Sequence, residues 1–185
     1  METVYVGFGG NIGDAAATIT KAALAIQALH FVEDFEISNY YLTSPVSSIP
    51  QDNYVNAVCR FKTSLEPTAL FAELELISAT LGKIQKVKEA PRIIDLDLLF
   101  FGERLFNDGD LQVPHSQWSN RLFVLVPLLD LIEEIVVPTP EGLIKVNLTE
   151  YVQNFTNIHH EKIVVLNENY RGITTNAKSA TSRSG

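Results

Sequence analysis

The apolar positions along this chain change their period several times, and each change predicts an element. Thr3 to Phe8 (TVYVGF) reads as a strand, and Gly7, Gly9, Gly10 and Gly13 are expected to break it into a turn. Ile19, Ala22, Ala23, Ile26 and Leu29 then recur at helical spacing, which predicts a helix over Ala15 to Leu29. Asp34 to Leu42 predicts a second strand. Tyr54 to Lys62 (YVNAVCRFK) predicts a third, after TSPV (Thr43 to Val46) and a polar loop around Pro50. Glu66 and Pro67 open a helix over Thr68 to Leu81, and Gly82 stops it. PRIIDLDLLFFG (Pro91 to Gly102) is apolar enough to be a buried strand.

The resulting β-α-β-β-α-β order predicts an α+β fold with a ferredoxin-like core, followed by C-terminal helical and strand additions. After a polar turn at Asn107 to Asp110, Arg121 to Ile132 predicts one helix, or two short pieces around Pro127. Val136 to Tyr151 predicts a hairpin or short helix, and Glu161 to Leu166 a last strand. A single domain over residues 1–170 follows, with a disordered tail over 171–185, where Ser, Thr, Ala and Lys lack apolar periodicity.

Two charges interrupt the most apolar of these runs. On a strand, Ile93, Asp95, Asp97, Leu99 and Phe101 are expected to share one face. Neighbouring carboxylates repel, and burying either as an unpaired ion costs several kcal/mol, on the order of magnitude. Something positive must therefore sit by them. Arg92, three residues before Asp95, would make an ion-pair cluster; a divalent metal such as Mg²⁺, completed by water and phosphate oxygens, would serve equally.

Composition narrows the options. The formal net charge of −8 argues against general nucleic-acid binding, which needs a basic face, but leaves room for a nucleotide held by local cations. Cys59 is the single cysteine, so no intrachain disulfide forms, and it reads as a small buried hydrophobe. The histidines fall in no zinc pattern. Without a signal-like N-terminus or a long apolar stretch, a cytoplasmic protein is expected, and a monomer is the default.

Local cations are present. Lys83, Lys86, Lys88 and Arg92 lie just before the carboxylates, and metal plus cations beside one strand is equipment for phosphoryl transfer. A solvated loop is the alternative. His115 and Arg121 lie one turn beyond the strand and could bind phosphate. Tyr54 and Asn56 alternate onto one strand face, and an Asn amide suits either a heterocycle edge or a structural hydrogen bond. The GFGGNIGD turn (Gly7 to Asp14) permits close backbone approach but lacks the Lys-Ser/Thr of a P-loop.

Taken in order, the GGN turn, YLTSPV, DNYVNAV, the helix ending in Leu-Gly, PRIIDLDLLFFG, LQVPH and NRLFVLVPL resemble the 6-hydroxymethyl-7,8-dihydropterin pyrophosphokinases of folate biosynthesis, over about Val4 to Pro138. The resemblance implies a ferredoxin-like fold and transfer of pyrophosphate from ATP to the pterin hydroxymethyl group, with release of AMP. It implies that Asp95 and Asp97 hold two Mg²⁺ ions. Arg92, Lys83 and Lys86 would act on the phosphates, with Leu98, His115 and Arg121 completing the ATP site. Gly9, Thr43, Pro45, Val46, Tyr54, Asn56 and Phe123 would form the pterin pocket. Small-molecule pterin and ATP are thus the implied partners, with no nucleic acid or membrane.

Departures from the family pattern concentrate near the basic loop. Lys83 and Gln85 stand where arginines are common, no Trp precedes Pro91, Ser78 replaces a usual Glu, and Asp110 replaces a basic residue of some relatives. Each lost phosphate contact could slow transfer by about one to three orders of magnitude. The competing reading is a pterin- or nucleotide-binding paralogue with weakened or lost catalysis. An RNA-binding domain on the same fold is disfavoured by the acidic charge.

Overall fold

A computed structural model describes residues 1–46, 50–83, 90–157 and 160–166. The expected tail at 171–185, together with Gln85, Lys86 and Lys88, lies outside the described residues.

The fold is mixed α/β, built on a six-stranded antiparallel sheet. β1 (Glu2–Gly10) is central, paired with β4 (Tyr54–Thr63) on one side and β5 (Asp95–Phe101) on the other. The glycines do not end β1. It runs on to Gly10 because both neighbours supply ladder partners, and glycine admits a close third backbone. A Cβ at Gly10 would lie 2.5 Å from the Ile93 carbonyl oxygen.

The expected second strand, Asp34 to Leu42, is two strands. β2 (Val32–Ile37) and β3 (Tyr41–Thr43) both pair with β4, at opposite ends of it. Between them Ser38 supplies the ladder with its side chain: the Val58 N–H donates to Ser38 Oγ at 3.0 Å, and the Ser38 N–H to the Val58 carbonyl at 2.9 Å. β10 (Ile163–Val165) continues the sheet beyond β3.

Two layers cover the sheet. α1 (Ala15–Gln27) and α2 (Pro67–Thr80) bury Ile19, Ala22, Ala23, Ile26, Leu70 and Leu74 against Val4, Val6, Phe8 and the inward side of β4. Asp14 caps α1, its carboxylate accepting the Ala17 N–H at 2.9 Å. The other face carries α3 (Leu122–Leu129), the hairpin β8 (Glu134–Thr139) and β9 (Gly142–Asn147), and α4 (Leu148–Gln153). Their core is Val124, Leu125, Leu128, Ile135 and Leu148 against Tyr5, Val58, Leu99 and Phe100. A two-residue ribbon, β6 (Phe106–Asn107) and β7 (Gln112–Val113), follows β5. Pro127 sits inside α3 without ending it.

The single face expected for Ile93 to Phe101 is only partly formed. The β1–β5 register shifts at Tyr5/Val6, so Leu99 and Phe100 both serve the α3 side, and Phe101 turns to the α1–α2 core. Ile93, ahead of the strand, also packs against that core.

Candidate functional site

Side chains opposite one another in an antiparallel ladder share a face. Tyr41, Asn56, Gly9 and Asp95 form one such row across β3, β4, β1 and β5, and Val58, Gly7 and Asp97 form the next. Both rows lie on the α3 side of the sheet, where Val58 and Leu99 pack. The glycines leave bare backbone between the amide of Asn56 and the two carboxylates. A Cβ at Gly9 would stand 3.0 Å from Asn56 Oδ1, so glycine keeps this trough open.

The two aspartates have different surroundings. Arg92 Nη1 meets Asp95 Oδ2 at 2.5 Å, and Lys83 Nζ meets Asp95 Oδ1 at 3.0 Å. Lys83 also pairs with Glu75 at 2.7 Å. Gly82, at φ +97°, turns the chain back at the end of α2, where the Lys83 N–H donates to the Ser78 carbonyl. That reversal brings the ammonium to both carboxylates. Burial opposes the charge on Lys83, but Glu75 and Asp95 outweigh it and hold its pKa above the ordinary lysine value. Ser78 is fully buried, its hydroxyl donating to the Leu74 carbonyl, so the acidic partner in this helix is Glu75.

The Asp97 carboxylate forms no ion pair and accepts no hydrogen bond among the described residues. Dehydration by the surrounding protein, reinforced by the charge of Asp95, raises its pKa, while His115, Arg121 and Arg92 pull it down. A partly buried carboxylate with open lone pairs beside a second carboxylate is a fitting donor set for a hard divalent cation. Among the described residues no group of three or more His, Cys, Asp or Glu side chains converges. Water and phosphate oxygens would thus complete the shell, as Mg²⁺ prefers.

His115 enters from the segment after β7, anchored by its N–H to the Leu99 carbonyl at 2.9 Å. Burial lowers its pKa against the pull of Asp97, and Arg121 adds to the lowering. Nδ1 accepts the Gln117 N–H at 3.1 Å, which puts the proton of the neutral ring on Nε2. Arg121 precedes α3 and lies 5.4 Å over the Phe123 ring centroid.

On the strand side, Asn56 is buried and donates to Thr43 Oγ1 at 2.7 Å. Tyr54 donates to Gln51 Oε1 at 2.8 Å. Pro45 and Val46 follow Thr43 beyond the end of β3, with Val46 exposed. The side chain of Leu98 lies in the α1–α2 core, so only its backbone is available to a ligand. The register thus gathers Gly9, Thr43, Tyr54, Asn56, Asp95 and Asp97 on one face, with Lys83 and Arg92 bound to it. His115 and Arg121 are close enough to act on Asp97 electrostatically.

Asn11, Gln51 and Glu75 are the residues that sequence reasoning left without a role. Asn11 accepts the Arg92 N–H and donates its side-chain amide to Gln51 and to the Asp52 carbonyl. Its place in the GGN motif was the signal available.

Comparison with known proteins gives the family. Residues 5–133 match the family model for 7,8-dihydro-6-hydroxymethylpterin-pyrophosphokinase. The chain is 30% identical, over 90% of its length and 99% of the relative's, to 2-amino-4-hydroxy-6-hydroxymethyldihydropteridine pyrophosphokinase of Haemophilus influenzae. It is 36% identical to the folic acid synthesis protein fol1 of Pneumocystis carinii over 74% of its own length. The chain spans 18% of that protein and 47% of a bifunctional FolKE protein of Lactococcus lactis. Among solved structures, the HPPK-DHPS of Plasmodium falciparum matches 82% of the chain and 44% of that protein, with a TM-score of 0.62 at 13% identity, a likeness of fold. The chain belongs to the 7,8-dihydro-6-hydroxymethylpterin-pyrophosphokinase family.

Proposed function

We propose that the protein transfers pyrophosphate from ATP to the hydroxymethyl group of 6-hydroxymethyl-7,8-dihydropterin. The observation that carries the reading is the trough between Asn56 and the unequal pair Asp95 and Asp97, in a chain of this family. The hydroxymethyl oxygen attacks the β-phosphorus, the bond from that phosphorus to the bridging oxygen breaks, and AMP leaves with the oxygen. The hydroxyl proton passes to solvent.

Asp95 and Asp97 would hold Mg²⁺, two ions in this reading, which neutralises triphosphate charge and makes the hydroxyl easier to ionise. Arg92 and Lys83 are tethered to Asp95 and stand ready to exchange that contact for phosphate oxygens. Lys86 has the same role in this proposal. The backbone of Leu98, with His115 and Arg121, completes the ATP side, where the Nε2–H of a neutral His115 donates to a phosphate oxygen. Asn56 reads the pterin edge with its amide, Phe123 stacks on the ring, and Gly9, Thr43, Pro45, Val46 and Tyr54 complete the wall.

The same reading takes the core as ferredoxin-like, supported by the order β2/β3–β4–β1–β5 with α1 and α2 on one face. Among the described residues no helix is long and apolar enough to cross a membrane.

The test is a product assay with ATP, Mg²⁺ and the pterin that resolves AMP from ADP, with Asp97→Ala as control. Pterin-dependent AMP that vanishes in the control is the expected result. ADP as the product overturns the reaction. Binding of both ligands without turnover replaces it with a binding paralogue.

A further inference from the structure

The segment Glu161 to Leu166 lies beyond the stretch that carries the family match, yet it is fastened to both walls of the proposed pocket. At one wall, Ser44 and Lys162 exchange hydrogen bonds. The Ser44 N–H donates to the Lys162 carbonyl, and the Lys162 N–H to Ser44 Oγ, each at 2.9 Å. β10 then pairs Ile163 with Thr43 and Val165 with Tyr41, and the Leu166 N–H donates to the Tyr40 carbonyl at 2.8 Å. At the other wall, Glu161 is 6% exposed and its Oε2 accepts the Leu122 N–H at 3.1 Å. Leu122 opens α3, between Arg121 and Phe123. Asn157 holds Glu161 in place, accepting its N–H at 2.8 Å and donating to its carbonyl at 2.9 Å.

Little of this segment builds core. Val164 and Val165 are 58% and 52% exposed, so what it contributes is mostly polar fastening. The carboxylate of Glu161 satisfies one of the orphan N–H groups that every helix start presents. It does so from two residues ahead of β10, the strand tied to the opposite wall. We infer that Glu161 is a positioning residue for substrate binding: it sets the first turn of α3, with Arg121 and Phe123, against the end of β3 at Thr43 and Pro45 beyond it. The inference rests on the pyrophosphokinase reading, because that reading makes these two edges the walls of one pocket.

The test measures pterin affinity by fluorescence titration, with Mg²⁺ and a non-hydrolysable ATP analogue present, alongside KM and kcat from AMP release. Glu161→Ala removes the acceptor for Leu122. Glu161→Gln keeps an amide oxygen there. Ser44→Ala removes the acceptor for the Lys162 N–H at the other fastening without touching Glu161, and serves if Glu161→Ala fails to fold. Ile26→Val, in the remote core under α1, is the control for a loss of stability alone.

Glu161→Ala is expected to raise the pterin Kd and KM about five- to tenfold, with kcat changed much less. Ser44→Ala should shift Kd the same way by a smaller factor, and Glu161→Gln and Ile26→Val should stay near wild type. Unchanged affinity in both Glu161→Ala and Ser44→Ala overturns the inference, as does an equal shift in Ile26→Val. Wild-type protein that binds pterin but releases no AMP overturns the reaction while Kd still decides the role of Glu161. Wild-type protein that binds no pterin overturns both.

Discussion

Asn11 and Arg92 are joined by a pair of hydrogen bonds at the head of the site. The Asn11 N–H donates to the Arg92 carbonyl at 2.9 Å, and Asn11 Oδ1 accepts the Arg92 N–H at 2.9 Å. The remaining donor of Asn11, Nδ2, reaches Gln51 Oε1 at 3.0 Å, the same oxygen that accepts the Tyr54 hydroxyl. One buried amide therefore links the cation paired with Asp95 to the loop beside the proposed pterin strand.

Asn11→Ala should accordingly disturb both fold and site. It strands the Arg92 N–H and takes one donor from Gln51 Oε1, at a cost of about 1–3 kcal/mol. Asn11→Asp keeps an acceptor for the Arg92 N–H but turns a carboxylate oxygen toward the Gln51 and Asp52 oxygens, so it should recover only part of that in a urea titration. We expect AMP release to fall in the order wild type, Asn11→Asp, Asn11→Ala. An Asn11→Ala protein with wild-type stability and rate would show that the link is dispensable.

The aspartates should respond oppositely to neutralisation. Asp95 holds two cations, so Asp95→Asn leaves Arg92 without its carboxylate partner and Lys83 with Glu75 alone, and should cost about 1–3 kcal/mol. Asp97 pays for dehydration without any paired cation among the described residues, so Asp97→Asn should melt at or above the wild-type temperature in metal-free buffer. Both variants should lose AMP release, and Mg²⁺ should raise the melting temperature of wild type but not of Asp97→Asn. A clear drop in the metal-free melting temperature of Asp97→Asn would refute this assignment of the two roles.

Much of this was legible in the sequence, for reasons that can be named. The helical spacing of Ile19, Ala22, Ala23 and Ile26 and the Gly82 stop marked α1 and α2 because both depend on local chemistry. The alternation around Asp95 and Asp97 put them on one face for the same reason. What local pattern could not show was pairing at a distance. Glycines that read as a break are strand because β4 and β5 flank them. One strand became two because Ser38 could fill the ladder with its hydroxyl. Phe101 changed face because a register shift against β1 cannot be seen from β5 alone. At the site, the Arg–Asp pair was readable from its three-residue spacing, whereas Asn11–Arg92, 81 residues apart, was not.

The glycines of β1 separate folding from binding. A Cβ at Gly7 would make ordinary contact with Leu99, at 3.5 Å, so Gly7→Ala should fold and bind with small change. A Cβ at Gly9 would press on Asn56 Oδ1, and Gly9→Ala should weaken pterin binding well beyond any change in melting temperature. At Gly10 the obstacle is the Ile93 backbone at 2.5 Å, which cannot swing away as a side chain can. Gly10→Ala should lose about 2 kcal/mol or more. Thermal melts paired with pterin titrations check the series, and equal losses in all three would argue against a trough at Gly9.

Alkaline pH tests how α3 is moored at its other end. The Tyr41 hydroxyl donates to Asp130 at 2.9 Å and 3.0 Å, and Asn39 donates to the same carboxylate. Asp130 ends α3, so the cluster ties that helix to the β2–β3 junction. Burial, then the hydrogen bond and charge of Asp130, push the Tyr41 pKa up to about 12. An unfolded tyrosine titrates near 10. Below that pH both states keep the proton and the stabilisation is complete. As pH rises further the unfolded chain releases its proton first, so stability drains away between about 10 and 12. Tyr5, whose pKa is also raised by burial, contributes in the same direction and remains in the variant. Tyr41→Phe should be less stable than wild type at pH 8, by about 1–2 kcal/mol. It should also lose less on going to high pH, so the two urea midpoints converge as the pH approaches 12. Parallel curves would mean that the phenol proton of Tyr41 is not what holds this end of α3.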